Sequence, residues 1–487
     1  MMNEHGKSDK PVVPKTAPNK AGQPAAEGRE GRGLAKGNLS QQNAIRTQSR
    51  QVVQSALERV RQAASKDEGA EFTALLHHVY SVDALRTAYY SLRKEAAPGI
   101  DGETWRHYGE TLDERLQDLS HRLRQGAYQA KPVRRTYIRK DDGRQRPLGV
   151  TVLEDKVVQK AAVEVMNAIY ETVFVNFSYA FRTGRSQHQA LDALYVGLLR
   201  KEVNWVLDLD IRAFFDSIPH EWLVKFLQHR IKDRRMVRLF QKWLNAGVLE
   251  DGQWSVMEEG TPQGGSASPL LANIYLHYVF DLWVQVWGRK IARGEMIVVR
   301  YADDIVVGFQ EKADAERLWA DLKERFQKFN LELHPEKTRL LEFGRYATED
   351  RKRRGEGKPE TFNFLGFTHI CGKTRQGKFT VRRETIGKRL WAKLRQVKAE
   401  LRRRMHDPIP VVGAWLQAVV RGHIQYYALP TNTSKVSQFR EEVGRAWHRA
   451  LNRRSQNRHV RWRRMATLIK RWLPPVRVNP RYPILYC

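Results

Sequence analysis

Apolar positions recur along the chain in two registers, one helical and one alternating, and the switches between them divide the sequence. From Val52 the spacing is helical, with Val53, Ala56, Leu57 and Val60 on one face. Leu75, Leu76 and Val79 predict a second helix over 71–80, and 84–92 reads as a third. Over 112–125, Leu116, Leu119 and Leu123 mark an amphipathic helix. Residues 134–150 read as strand, turn, strand, with Asp141-Asp142-Gly143 as the hairpin signal. A strong helix over 153–170, a loop over 178–186 and a helix from Gln187 follow, then an apolar strand over 205–211 and a largely helical stretch over 222–246. Gly260-Thr261-Pro262-Gln263-Gly264-Gly265 breaks both periodicities and opens a helix near Ser268-Pro269, with Ser268 as cap and Pro269 at the first helical position. Beyond it come strand, tight turn and strand over 296–309, and an amphipathic helix over 313–329.

That tight turn carries adjacent carboxylates, Asp303 and Asp304. Aspartate suits turns and is poor in strands, so the pair needs a reason. A solvated turn is one. A hairpin presenting oxygen ligands to a divalent cation is the other, since hard cations such as Mg²⁺ prefer oxygen. Asp210, at the end of the 205–211 strand, supplies a third carboxylate and favours the second reading. Asp208, two positions back, shares a strand face with Asp210 and stays open as the alternative ligand.

Composition adds a partner. The 487 residues hold 85 Lys and Arg against 54 Asp and Glu, a net charge of +31, which points to a polyanion. Nucleic acid is favoured over membrane, because no apolar run reaches the roughly 18 residues a span needs. No signal core opens the chain, and Cys371 and Cys487 are too few for a disulfide framework or a Cys-based zinc site, so a cytoplasmic, nucleic-acid-associated protein is expected. Residues 1–48, basic and poor in branched apolar side chains, are expected to be disordered.

Tyr301-Ala302-Asp303-Asp304 together with Asp210-Ile211-Arg212-Ala213-Phe214-Phe215-Asp216 resembles the palm motifs of reverse transcriptases. Gly260–Gly265 and Ser268-Pro269-Leu270-Leu271-Ala272-Asn273 narrow the likeness to the type encoded in bacterial group II introns, and it runs from about residue 85 to Pro475. The resemblance implies an α+β, right-hand polymerase, with fingers and palm built on antiparallel sheet, followed by a helical thumb and a helical maturase domain. The expected divisions are N-terminal helices and fingers at 49–200, palm at 201–370, thumb at 371–408 and RNA-binding maturase domain at 409–487. It implies primer extension with dNTPs on an RNA template, a DNA primer or target, intron RNA as a splicing partner, and two Mg²⁺ ions with Mn²⁺ as a substitute. The metal set is Asp210, Ile211, Asp303 and Asp304, and the motif selects Asp210 over Asp208. Lys140 and Arg146, bracketing the fingers turn, match residues that contact the incoming triphosphate. Phe215 matches the aromatic that stacks under the sugar and leaves no room for a 2′-hydroxyl, the alternative being that Phe214 and Phe215 are both core residues. Gln263 matches a contact to the nascent pair or the nucleotide sugar. His334-Pro335-Glu336-Lys337-Thr338 resembles the segment closing the palm, where a structural role is favoured for Lys337, and Phe362-Asn363-Phe364-Leu365-Gly366-Phe367 resembles the primer-grip hairpin.

Residues 381–487 carry 25 Lys and Arg against 5 Asp and Glu. Leu390, Leu394, Val397 and Leu401 repeat at helical spacing ahead of Arg402, Arg403 and Arg404, which resembles a basic-faced thumb helix. The following segment around Trp415–Tyr427 resembles the maturase-specific domain, and Arg453, Arg454, Arg461, Arg463 and Arg464 are expected on an RNA-facing surface. Arg182, in the 178–186 loop, is expected either to line a template channel or to fasten its loop through backbone carbonyls. The alternatives for function are a maturase acting mainly as an RNA chaperone, and a host-adopted reverse transcriptase with a defence or repair task. An RNA-dependent RNA polymerase is disfavoured by Phe215. No target-cutting endonuclease is expected, for want of the paired Cys and His residues of the nuclease domain that some relatives carry.

Overall fold

The computed structural model describes residues 33–139, 145–250, 253–255, 259–260, 264–454 and 459–478. The chain divides into units 1–48 and 49–487. Of the first, only 33–48 is described, as the opening turns of helix α1 (Gly33–Lys66). Disorder over that stretch is therefore corrected. Residues 33–48 contain no proline and include the helix-favouring Ala, Leu and Gln, and extending a formed helix costs far less than starting one.

In the second unit, helices α2 (Leu76–Tyr80) and α3 (Val82–Ser91) pack on α6 (Leu153–Tyr170) and on α5 (Leu112–Gln125), while Tyr108 of α4 (Trp105–Tyr108) and Arg122 of α5 hydrogen-bond to Glu154 of α6. Most of α6 is buried, consistent with its near-continuous apolar sequence. Helix α2 is shorter than its periodicity predicts. Residues 71–75 run outside the helix, Phe72 bridging Ile231, and the N–H groups of Leu75 and Leu76 donate to Asp233 Oδ2 at 2.8 and 3.0 Å. A carboxylate from a distant segment sets that helix start, and no local pattern reveals it. Asp233 also accepts from the N–H groups of Arg235 and Met236, which divides the 222–246 stretch into α8 (His220–Arg230) and α9 (Arg234–Leu244).

The fingers hairpin is β1 (Val133–Arg139) paired antiparallel with β2 (Gln145–Val150), and β1 also runs parallel to β4 (Val248–Glu250). Strand β3 (Trp205–Asp210) lies inside the palm sheet. With β5 (Gln253–Ser255) completing the fingers sheet, the palm comprises β6 (Met296–Tyr301), β7 (Asp304–Phe309), β3 and β8 (Arg339–Glu342), in that order and antiparallel throughout. Alternation decides what each palm face meets. Leu207, Leu209, Ile305 and Val307 join the core with Leu318 and Leu322 of α12 (Lys312–Lys328), whose ordinal follows α7 (Gln187–Arg200), α10 (Ser268–Leu276) and α11 (Leu282–Lys290). Val206 and Val306 point the other way, into a second core with Leu191, Leu194 and Leu198 of α7. Asp208, Asp210 and Asp304 share that second face by period two. Ser268 proves to be the first residue of α10 rather than its cap, a place held by Ala267.

After α13 (Ala347–Arg353), strands β9 (Phe362–Phe364), β10 (Phe367–Lys373) and β11 (Phe379–Thr385) form a third sheet that shares the α7 core through Phe362, Phe364, Phe367 and Val381. Helices α14 (Gly387–Arg403), α15 (Ile409–Tyr427), α16 (Thr433–Asn452) and α17 (Trp462–Trp472) then surround one core. Leu390, Leu394, Val397 and Leu401 of α14 pack there with Leu416 and Val420, with Phe439 and Trp447, and with Met465. The expected division at 408/409 thus cuts through a single packed bundle, and the segment from 371 begins in sheet rather than in helix. The apolar stripe of α14 is legible in sequence, but the partner that covers it lies some 50 residues on.

Candidate active site

Asp210 and Asp304 face each other across β3 and β7, the last register pair of those strands. Tyr301 pairs with Asp304 across the hairpin, which leaves Ala302 and Asp303 as a two-residue turn. Ala302 takes a left-handed φ of +58°, a conformation a side-chain-bearing residue adopts at a cost of about 1 kcal/mol or more. Arg300 supports it from below. Its guanidinium is fully buried and donates to Asp281 Oδ1 and Oδ2 at 2.7 and 2.5 Å, to Asn273 Oδ1 at 3.1 Å, to Ser178 Oγ at 2.7 Å and to the Ala302 carbonyl at 3.3 Å. Asp281 is delivered by a π-helical turn, His277–Asp281, between α10 and α11. Burial pushes the Asp281 carboxyl up, and the Arg300 guanidinium opposes the shift. Sequence reasoning missed this network, although a charge inside the apolar run Val298-Val299-Arg300 and another inside Val279-Phe280-Asp281 were its signal: each needs a partner.

The site's field is negative. Asp304 is reached by solvent yet hemmed in by protein, and that loss of hydration, with Asp303, Asp210 and Asp208 nearby, pushes its carboxyl up to about 7. Asp208 lies one inward-facing step back, opposite Val306, and burial lifts it to about 6 against the pull of Arg339. Lys337, expected to be structural, donates from Nζ to Asp210 Oδ2 at 2.6 Å. Among the described residues no three of His, Cys, Asp or Glu stand converged as a ready-made metal cluster. The donor set nevertheless suits divalent metal: acidic oxygens crowd until one is lifted toward neutrality, and a lone ammonium already answers another.

The surroundings separate the remaining expectations. Phe214 is buried in the core and Phe215, half-buried, meets it edge-on at 5.3 Å. Lys140 and Gln263 lie outside the described residues, as does the side chain of Arg146. Gly264, next to Gln263, has a φ of +120°, and a Cβ there would come 2.4 Å from the Gly149 carbonyl, so Gly264 abuts strand β2. The 362–367 segment turns through Leu365 and Gly366, both left-handed at +47° and +85°, with Phe364 opposite Phe367.

Several arginines expected at RNA are occupied instead. Arg182 is buried and donates to the carbonyls of Val175 at 2.6 Å and Ser178 at 2.9 Å, with Nε 3.0 Å from Glu171 Oε2. It fastens its loop and does not line a channel. Arg454 donates to the Asp407 carbonyl at 2.8 Å and ties the loop after α14 to the end of α16. Arg404 pairs with Glu400 at 2.7 Å and lies over the Trp415 ring. Arg402, Arg403, Arg453, Arg461, Arg463 and Arg464 are exposed, Arg403 lying 3.6 Å from Glu400.

Residues 138–369 match the family "Reverse transcriptase (RNA-dependent DNA polymerase)". Protein YkfC of Escherichia coli is 33% identical over 316 residues, covering 58% of this chain and 78% of YkfC. The chain belongs to the reverse transcriptase family. This reverse transcriptase is also 37% identical over 228 residues to the group II intron-encoded protein LtrA of Lactococcus lactis, a match covering 45% of the chain and 37% of LtrA. Nuclear intron maturase 2, mitochondrial, of Arabidopsis thaliana is 26% identical over 110 residues, covering 21% of the chain and 14% of that protein. The enzyme is thus an RNA-directed DNA polymerase with group II intron-encoded and maturase relatives, from a family that works with divalent metal. Among the described residues no helix is long and apolar enough to cross a membrane.

Proposed function

We propose that this reverse transcriptase extends a DNA primer with dNTPs on an RNA template, and that it binds intron RNA to assist splicing and mobility. The observation that carries the first part is the register pair Asp210–Asp304 at the end of an antiparallel sheet, with Asp303 in the adjoining turn. Asp210, Asp303 and Asp304, with Ile211 beside them, would hold two Mg²⁺ ions, or Mn²⁺ in their place. When bound, the ions supply Lewis-acid charge that eases ionisation of the primer 3′-hydroxyl and stabilises the departing pyrophosphate.

The rest of the work falls to the chain. Arg300 holds the Ala302 carbonyl and so positions the turn that offers Asp303. Lys337 neutralises Asp210 until substrate and metal arrive. Phe215 excludes a 2′-hydroxyl from the sugar subsite, Lys140 and Arg146 grip the triphosphate, and Gln263 touches the nascent pair. The Leu365-Gly366 turn receives the primer backbone, since a glycine lets one backbone approach another. The thumb and maturase roles fall to the α14–α17 bundle, whose exposed arginines supply RNA affinity.

Primer extension on an RNA template with Mg²⁺ titrated tests the reading. Steep metal dependence, abolished by chelation and restored by Mn²⁺, is expected. Incorporation that persists in excess chelator would contradict it.

A further inference from the structure

Residues 177–179 lengthen the palm sheet by one short segment on its β6 edge. The Arg300 N–H donates to the Phe177 carbonyl at 2.8 Å, and the Tyr179 N–H donates to the Arg300 carbonyl at 3.0 Å, a parallel bridge of Ser178 with Arg300. Across the sheet the order is therefore Asp210 on β3, Asp304 on β7, Arg300 on β6, then this segment. Three strand spacings separate the Asp210 strand from it, about 14 Å. Running parallel to β6, the segment heads toward the same end of the sheet as the Ala302-Asp303 turn.

Phe181, three residues past the bridge, has a left-handed φ of +57° and is 52% exposed. Left-handed backbone is costly for a bulky residue, and such outliers persist only where their surroundings hold them. Both neighbours are held. The carbonyl of buried Ala180 accepts from Asn273 Nδ2 at 2.7 Å, and the Arg182 guanidinium is fastened to the Val175 and Ser178 carbonyls. Yet among the described residues the ring so fixed joins none of the three apolar cores. Apolar burial does not account for it. Asn273, itself buried, leads further: its Oδ1 accepts at 3.1 Å from Arg300 Nη1, which also reaches the Ala302 carbonyl at 3.3 Å. One buried bridge thus ties the carbonyl before Phe181 to the carbonyl before Asp303.

We propose that Phe181 packs its ring against the template nucleotide paired with the primer terminus, and that the Asn273–Arg300 bridge passes this seating on to the Ala302-Asp303 turn. The inference rests on the reading of the chain as a primer-extending polymerase. That reading puts the primer 3′ end over Asp210 and the turn, so the strand on the far flank is its complement. A ring without donor or acceptor suits this place, since it packs on any base face and reads no sequence. Phe181 is a template contact, and Asn273 is a positioning residue.

The test uses the full chain and a primer–template carrying 2-aminopurine in the template, opposite the primer terminus, where stacking quenches its fluorescence. Phe181→Gly removes the ring and relieves the left-handed backbone, so its melting temperature should stay close to wild type. Without metal, bound Phe181→Gly should leave the probe brighter than wild type does, and Phe181→Tyr should restore the quenching. At saturating primer–template, Phe181→Gly should lower kcat for dNTP incorporation about tenfold, with the dNTP KM within about twofold of wild type. Asn273→Ser should lower kcat as well, and adding Phe181→Gly to it should cost little more. The proposal is overturned if Phe181→Gly keeps the wild-type kcat, or if the two losses multiply. It is also overturned if the probe fails to brighten, or brightens only when moved into the primer strand. A wild-type protein that incorporates no dNTP, yet whose template probe brightens with Phe181→Gly, would sink the polymerase reading and leave the template contact standing.

Discussion

Lys337 donates from Nζ to Asp210 Oδ2 at 2.6 Å, so an ammonium already neutralises a carboxylate that the proposed function gives to metal. On the proposed metal site, metal and lysine would compete for Asp210. Lys337→Met is expected to lower the Mg²⁺ concentration giving half-maximal incorporation by about two- to tenfold, a partly exposed pair being worth about 1 kcal/mol. A metal titration showing an unchanged or higher requirement would exclude the competition.

Phe214 is packed away in the core, which leaves Phe215 as the aromatic available to the proposed sugar subsite. Phe215→Ala should raise the use of ribonucleotides relative to deoxyribonucleotides by up to about a hundredfold, since it opens the space a 2′-hydroxyl requires. Single-nucleotide incorporation with paired rNTP and dNTP measures the ratio. If it does not move, the sugar is read by another residue.

Arg300 and Asp281 form a fully buried pair beneath the Ala302-Asp303 turn. Arg300→Met leaves Asp281 unpaired in the core, at a cost of about 3–5 kcal/mol, and removes the donor to the Ala302 carbonyl. Adding Asp281→Leu should restore much of the melting temperature and little of the incorporation rate. Recovery of both together would mean that the pair serves stability alone.

The Asp303-Asp304 hairpin was legible because its signals are local. Apolar runs, a two-residue turn and a neighbouring apolar strand ending in Asp210 all lie within short windows. Helices such as α5 and α6 were legible for the same reason. What escaped depends on groups far apart in sequence. Asp233 starts α2 from another part of the chain, and Arg300 reaches its partner Asp281 only once a π-helical turn rotates that carboxylate inward. Arg182 shows the limit most plainly. The same arginine in a polar loop fits a channel or an anchor, and the choice is made by carbonyls of 175 and 178 that converge only after the loop closes.

His369 is buried against Phe362, with rings 4.7 Å apart and nearly parallel, and burial lowers its pKa to about 3. The folded protein therefore keeps it neutral while the unfolded chain protonates near 6.5. Its stabilising contribution is complete above pH 6.5 and lost as pH falls toward 3, on the order of 3 kcal/mol by pH 4. His277, also lowered to about 3, acts in the same sense. Melting temperatures across pH 4 to 7 should fall less steeply for His369→Leu than for wild type. Parallel curves would show that this histidine does not govern acid sensitivity.

The most direct test of the account is nucleotide incorporation by Asp303→Asn, which preserves side-chain shape and removes one carboxylate charge from the hairpin. Loss of a metal ligand should remove several kcal/mol of transition-state stabilisation, so incorporation in Mg²⁺ on an RNA template should fall by about a thousandfold. RNA affinity, set by remote basic surfaces, should stay close to wild type. An Asp303→Asn enzyme that incorporates dNTPs at close to the wild-type rate would contradict the assignment of this hairpin as the catalytic centre.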